Sequence, residues 1–353
     1  MSTDKRYGQL GLLLEMPTQR ENVALAARAE AAGFDSVWAP EFHNHSGALA
    51  LAGAALVTER VGLGTAISWA FGRSPLLSAV TALDLDEMSD GRFVLGLGTG
   101  TKRMRTDWLG APAERPARRA LETIEAIRAV FQSASAGQIE YDGDLVSLRV
   151  RPYGRAGQLR DDIPIYLAAV NELMAQTAGA VADGVVAHPM ATQLYIDEVM
   201  RPAIELGARA EERDPAVVTI ADWVVAAVSN DPERARRDAA RQIAFHATVR
   251  TYDRVLALHG FTEVALQIRE LWKRFDLDGM TALVTDEMID AMAVAGTPDE
   301  CRSKLAGRAG NTDLALLGAP VVATDPDSVR DYHRAILETF ADSVEDPVGA
   351  HVH

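Results

Sequence analysis

Short apolar runs recur along the chain at 9–14, 34–39, 61–66, 93–98, 164–169, 184–187, 217–228 and 314–317. Between them lie stretches of helical character at 21–32, 48–58, 76–88, 116–133, 171–181 and 194–213. Gly33 closes the first helix and Pro116 opens a later one, as helix ends require. Beyond 228 the pattern changes: 232–272 reads as mostly helical, followed by helices at 285–291, 298–306 and 327–340. A second departure is the pair of short runs 138–141 and 145–150, which flank Asp142-Gly143 and read as a hairpin. Eight apolar strands alternating with helices predict parallel β/α units. A doubly wound open sheet shares that alternation, but a count of eight without a domain-like break favours a closed (β/α)8 TIM barrel. The reading is one domain over 1–345, with a helical insertion at about 232–290 and a frayed tail at 346–353.

Composition agrees with an ordinary globular chain: 353 residues, 48% hydrophobic and 24% charged. A formal net charge of -15 makes nucleic acid and anionic membrane poor partners. The polar segment 1–7 lacks a signal-peptide core, and the longest apolar stretch, 48–57, is too short and alanine-rich to span a bilayer. The expected location is the cytoplasm. Cys301 is the one cysteine, so no internal disulfide or multi-cysteine metal site can form, and it reads as a helix residue without chemical role.

In a barrel the chemistry sits just after each strand. After the second strand come Glu41, Phe42, His43, Asn44 and His45; after the third, Trp69 and Phe71 could wall a flat ring, and Ser74-Pro75 reads as a helix start. Gly96-Leu97-Gly98-Thr99-Gly100 follows the fourth, a run that lets backbone approach a ligand but matches neither a dinucleotide fingerprint nor a P-loop. Ala169, Val170 and Asn171 follow the fifth strand, with Asn171 as a helix cap; His188 and Thr192 follow the sixth. Thr297-Pro298-Asp299-Glu300 has the form of a capping box. His246, Arg250 and Tyr252 fall in the 232–272 stretch, which reads as a solvated insertion. A metal-dependent hydrolase is a competing reading of His43, His45, Lys102 and His188. Against it, the H-x-H pair follows the second strand rather than the first, and a strand-five histidine is missing; the expectation is that no metal is bound.

Several of these segments resemble the luciferase-like monooxygenase superfamily, and within it the branch that uses coenzyme F420. Ala32-Gly33-Phe34-Asp35-Ser36-Val37-Trp38 is similar to its second-strand signature, and Val61-Gly62-Leu63-Gly64-Thr65-Ala66-Ile67 to its third strand. The most specific is Met88-Ser89-Asp90-Gly91-Arg92-Phe93-Val94-Leu95-Gly96-Leu97-Gly98, the passage into the fourth strand. Stretches 164–170, 182–185 and 294–300 extend the resemblance, which runs from about Gly8 to Leu317. It implies an oxidoreductase, usually homodimeric, with F420 (or FMN, in the monooxygenases) across the strand ends. It places Ala66 and Ile67 behind the deazaflavin ring, with a cis peptide between them, and Gly98 and Thr99 beside it. Ala169, Val170 and Asn171 would line the cofactor, with His188 and Thr192 nearer its phosphate. The Asp-His pair found in many F420 members is Glu41-Phe42 here, with His43 one place later, and Gly100-Thr101-Lys102 replaces a glutamate that some relatives place after strand four. His43 and Glu41 are then the expected acid/base pair. A barrel that binds cofactor without turnover is a further alternative, and the substrate is not legible in the chain.

Overall fold

The computed structural model describes residues 7–308, 310 and 312–341. Eleven strands are present among them: β1 (Gln9–Leu13), β2 (Ser36–Pro40), β3 (Gly62–Trp69), β4 (Phe93–Gly98), β5 (Ile139–Asp142), β6 (Ser147–Val150), β7 (Ile165–Ala169), β8 (Gly184–Ala187), β9 (Thr219–Val228), β10 (Ala293–Gly296) and β11 (Leu314–Gly318). Eight close a parallel ring in the order β1, β2, β3, β4, β7, β8, β9, β11 and back to β1. These are the eight strands the alternation predicts. The tail at 346–353 lies outside the described residues.

β5 and β6 form the expected antiparallel hairpin, but through a four-residue loop closed by Gly143 N–H donating to Val146 O at 2.9 Å. Glu122, fully buried on the helix Pro116–Phe131, accepts from Leu145 N and Val146 N and ties that loop down. β10 is a strand the periodicity does not predict. It pairs with the far half of β9, Val225 to Val228, after β9 has already paired with β8 and β11. The long helical stretch is broken into Pro232–Ala247, Asp253–Leu258 and Thr262–Trp272, followed by Leu277–Ala282 and Asp286–Met292.

Side chains alternate across each ring strand, so two cores result. One lies between strands and helices. The other fills the barrel: Leu13, Trp38, Ala66, Val94, Tyr166, Val186, Ala221, Trp223, Leu314 and Leu316. The large rings fit because glycines face them. A Cβ on Gly64 would enter the Trp38 ring, and one on Gly184 would lie 2.6 Å from Tyr166 Cε1. The capping box also forms as expected, with Thr297 N–H donating to Glu300 Oε2 at 2.8 Å and Glu300 N–H to Thr297 Oγ1 at 3.4 Å.

The step from β3 to β4 shapes the mouth. β3 pairs with β2 through Thr65 opposite Ala39 and then Ile67 opposite Pro40, so Ala66 is an extra, bulged residue. The β4 register breaks at the same place, from Gly64 opposite Val94 to Ser68 opposite Leu97. Thr65 bridges the gap: its hydroxyl accepts from Gly96 N and donates to Gly96 O, both at 2.7 Å. Gly96 has to be glycine because a Cβ there would run into the Thr65 carbonyl oxygen. The expected cis bond is not formed. Arg151–Pro152 is the cis peptide among the described residues, and Ala66–Ile67 is trans. The inserted residue by itself re-aims Ile67, whose carbonyl accepts from Glu41 N at 2.9 Å.

Candidate active site

The strands point their C-terminal ends at one mouth, and inward parity decides which residues line it. On β4, Val94 faces the barrel interior, so Gly96 and Gly98 face inward as well. Ile67 sits against Gly98, where a Cβ would meet its Cβ and Cδ1 at 3.0 Å. The two are therefore in contact, with the Ile67 side chain covering Gly98. Thr99 is half-buried beside it, and the loop is held by the buried Arg105, whose Nη1 donates to Gly100 O at 2.6 Å. Trp69 packs beneath Gly100, whose φ of +64° suits glycine.

Other expected residues have structural duties instead. Glu41 does not pair with His43. It is buried and clamps the β3 end, accepting from Ser68 Oγ at 2.6 Å, Trp69 N at 3.3 Å and Arg73 Nη2 at 3.1 Å. His43 is exposed on the rim and rests its ring against Phe42 and Trp108, at 4.4 and 5.5 Å between centroids. On β7, Tyr166 faces inward while Ile165, Leu167 and Ala169 pack among the helices, so Ala168 rather than Ala169 has the inward position. Val170 is half-buried and its carbonyl accepts from Tyr195 Oη at 2.9 Å. Asn171 is the exposed cap of the helix Glu172–Val181, accepting from Met174 N at 3.0 Å. Thr192 is buried, caps Gln193–Tyr195 and meets His259 Nε2 at 2.7 Å.

The mouth instead contains groups that the chain's pattern does not single out. Glu15 is two residues beyond Leu13, whose side chain lies in the barrel interior. Its Oε2 is buried with no partner, and a Cβ on Gly318 would lie 2.8 Å from it and 3.1 Å from Trp223 Nε1. The residue as a whole is partly exposed, but Oε2 is not, and burial pushes the carboxyl up to about 8. It is therefore protonated at neutral pH. The only sequence signal was its place, an acid directly after an apolar strand.

His188 does lie at the mouth, one inward position above Val186. It is not free for a phosphate: its Nε2 is 2.6 Å from Tyr252 Oη, its Nδ1 accepts from Met190 N, and burial beside His246 holds it well below the ordinary imidazole value. Tyr252 is buried and His246 half-buried, which corrects the reading of their segment as solvated; Arg250 is exposed. Phe42, Trp69 and Trp108 make an aromatic wall on the β2–β4 side.

Among the described residues no group of three or more His, Cys, Asp or Glu side chains gathers that could hold a metal ion. A separate concavity of about 390 Å³ lies on the insertion, lined in part by Arg236, Arg237 and Arg241. Arg236 pairs with Asp286 and Asp290, and Arg241 with Asp238, and no strand end reaches it. No helix among the described residues is long and apolar enough to cross a membrane.

The family model for luciferase-like monooxygenases matches residues 3–311. The chain belongs to this family. It is an oxidoreductase, and its barrel is the one the family shares. A 5,10-methylenetetrahydromethanopterin reductase of Methanolobus tindarius is 31% identical over 287 residues, covering 79% of this chain and 84% of the relative. An uncharacterized protein of Mycobacterium tuberculosis is 34% identical over 300 residues, covering 83% and 88%. The structure of the coenzyme F420-dependent tetrahydromethanopterin reductase of Methanopyrus kandleri superposes with a TM-score of 0.75 at 26% identity, covering 94% of this chain and 99% of that one.

Proposed function

We propose that this family member transfers a hydride between coenzyme F420 and a small organic substrate. The observations that carry the reading are the seat that Ile67 and Gly98 form and, elsewhere at the same mouth, Glu15, whose Oε2 is buried without a partner and whose carboxyl is held protonated. A flat ring fits the seat, and the carboxyl gives the proton that must accompany the hydride. Relatives named as F420-dependent reductases support the choice of cofactor. When bound, F420 would supply or accept the hydride. The chain's own residues do the rest. Ile67 and Gly98 would hold the ring, the Phe42–Trp69–Trp108 wall excludes water from one side, and the Glu15 carboxyl donates its proton to the reduced substrate. Thr99 and Val170 would border the cofactor.

Fluorescence titration with oxidised F420 and, separately, FMN tests this. Binding of F420 alone is the expected result. Binding of FMN alone would move the chain to the flavin-dependent members, and binding of neither would refute both cofactors.

A homodimer is part of the same proposal. The helix Gly47–Ala55 and the residue after it expose Leu49 at 68% and Leu56 at 76%, and the adjacent helix Pro75–Met88 exposes Leu77 at 58%. Exposed leucines on two neighbouring helices suit a subunit contact. Light scattering is expected to give twice the chain mass for the wild type and the single-chain mass for the Leu49→Glu, Leu56→Glu double variant. A monomeric wild type would overturn it.

A further inference from the structure

The polar groups over the mouth fix one another's hydrogens, and the outcome leaves two donors free. The side-chain amide oxygen of Gln242 accepts from Val321 N at 3.1 Å and Val322 N at 3.0 Å, in the loop after β11. Its Nε2 is therefore the group that faces His246 Nε2, at 3.0 Å, and it donates. His246, neutral because burial lowers it to about 4, must then carry its hydrogen on Nδ1. No acceptor for that hydrogen is present among the described residues.

The same logic runs through His188. Its Nδ1 accepts from Met190 N at 3.2 Å, so a neutral ring carries its hydrogen on Nε2. That hydrogen goes to Tyr252 Oη, 2.6 Å away. The tyrosine oxygen thus accepts, and its own O–H has no other partner among the described residues, although the side chain is only 7% exposed. A buried hydroxyl hydrogen without an acceptor is costly unless a ligand supplies one. The three rings are packed together: His188 lies 4.3 Å from Tyr252 and 4.7 Å from His246, centroid to centroid.

We infer that Tyr252 O–H and His246 Nδ1–H are the substrate-recognising donors of this mouth, and that they take the oxygen of an uncharged carbonyl compound. This deepens the hydride-transfer reading and rests on it for the word substrate. The absence of charge follows from the surroundings. Both donors are neutral and Glu15 is protonated, so none of the groups that would touch or protonate the oxygen carries a charge to match an anion. An anion held by these two donors would meet no counter-charge at the atoms that bind it. The aromatic wall across the mouth suits an apolar body behind that oxygen.

The donors are set by protein groups alone, so the test uses the full chain without cofactor and stands apart from the F420 titration. Calorimetric titration compares cyclohexanone, its carbon isostere methylenecyclohexane, and cyclohexanecarboxylate. The wild type is expected to bind the ketone about fivefold more tightly than the isostere, and Tyr252→Phe to lose that preference while keeping its unfolding temperature. The carboxylate should bind more weakly than the ketone. In parallel, long-range 15N spectra of labelled histidine should show His246 protonated at Nδ1 and His188 at Nε2; Gln242→Ala should release His246 to the commoner Nε2 form. No ketone binding, equal preference in Tyr252→Phe, a tighter carboxylate, or His246 protonated at Nε2 would each overturn the inference. F420 binding with any of these would leave hydride transfer standing, and loss of F420 binding with the ketone preference intact would do the reverse.

Discussion

Glu15→Gln is expected to lower turnover about 10²–10³-fold, the usual contribution of a positioned general acid, with little change in cofactor affinity. The carboxyl has its Oε2 buried and unpartnered at the mouth, bordered by Gly318 and Trp223. Its proton is held up to about pH 8 by desolvation. Reduction of substrate should therefore be constant below that pH and fall as pH rises through it, and the limb should vanish in the variant. In the oxidising direction the deprotonated form is needed, so the limb inverts.

The same shift fixes a stability trend. The unfolded carboxyl titrates near 4.5 and the folded one near 8, so between those values the folded chain holds a proton that the unfolded chain has lost. Stability falls as pH rises through that window. Glu15→Gln removes the slope, so the variant should be more stable than the wild type in urea at pH 9 while being far less active. A wild type whose activity and stability are both flat from pH 6 to 9 would refute the assignment of Glu15. A site that costs stability to keep an acid neutral is a familiar trade between stability and activity.

The second large effect is expected at Gly96. Its Cβ position is taken by the Thr65 carbonyl of the bulged strand, which is backbone and cannot swing aside. Gly96→Ala should cost about 3 kcal/mol or prevent folding, since overpacking against backbone is not relieved by a rotamer change. Thr65→Val is the gentler probe of the same joint. It keeps the shape but leaves Gly96 N–H and C=O, each bonded at 2.7 Å, without their partner, for roughly 2–3 kcal/mol in urea unfolding. Because the bulge aims Ile67 at Gly98, Thr65→Val should also weaken cofactor binding. An unchanged unfolding midpoint would show that the hydroxyl is not the missing rung.

How much of this was legible varies by element. The eight ring strands were legible because each is a compact apolar run between helices. β10 was not: Ala293–Gly296 is four residues wedged between two helices, and it is a strand only because the overlong β9 offers it an edge. The glycines after strand four were legible as a place of close approach, but what approaches Gly96 is the neighbouring strand and not a ligand. Ile67 and Gly98 lie in contact across the β3–β4 step, and Glu41, Asn171 and Thr192 hold loops and helix ends. Those three carry side chains that both bind ligands and cap backbone, and a linear pattern cannot separate the two uses.

The sequence alone determined the barrel and the family, because strand count, alternation and the segment motifs are local properties that survive without knowing any contact. It also determined the helix starts, such as Ser74-Pro75 and Thr297-Pro298, where one side chain meets backbone three residues on. Only the tertiary structure decided the chemistry. Which residues face inward depends on a register that one bulge at Ala66 resets. Whether Glu15 holds its proton depends on desolvation by strands 200 and 300 residues away, β9 and β11. That Tyr252 is a free donor depends on a hydrogen fixed through His188 by Met190, a constraint set by packing across the mouth.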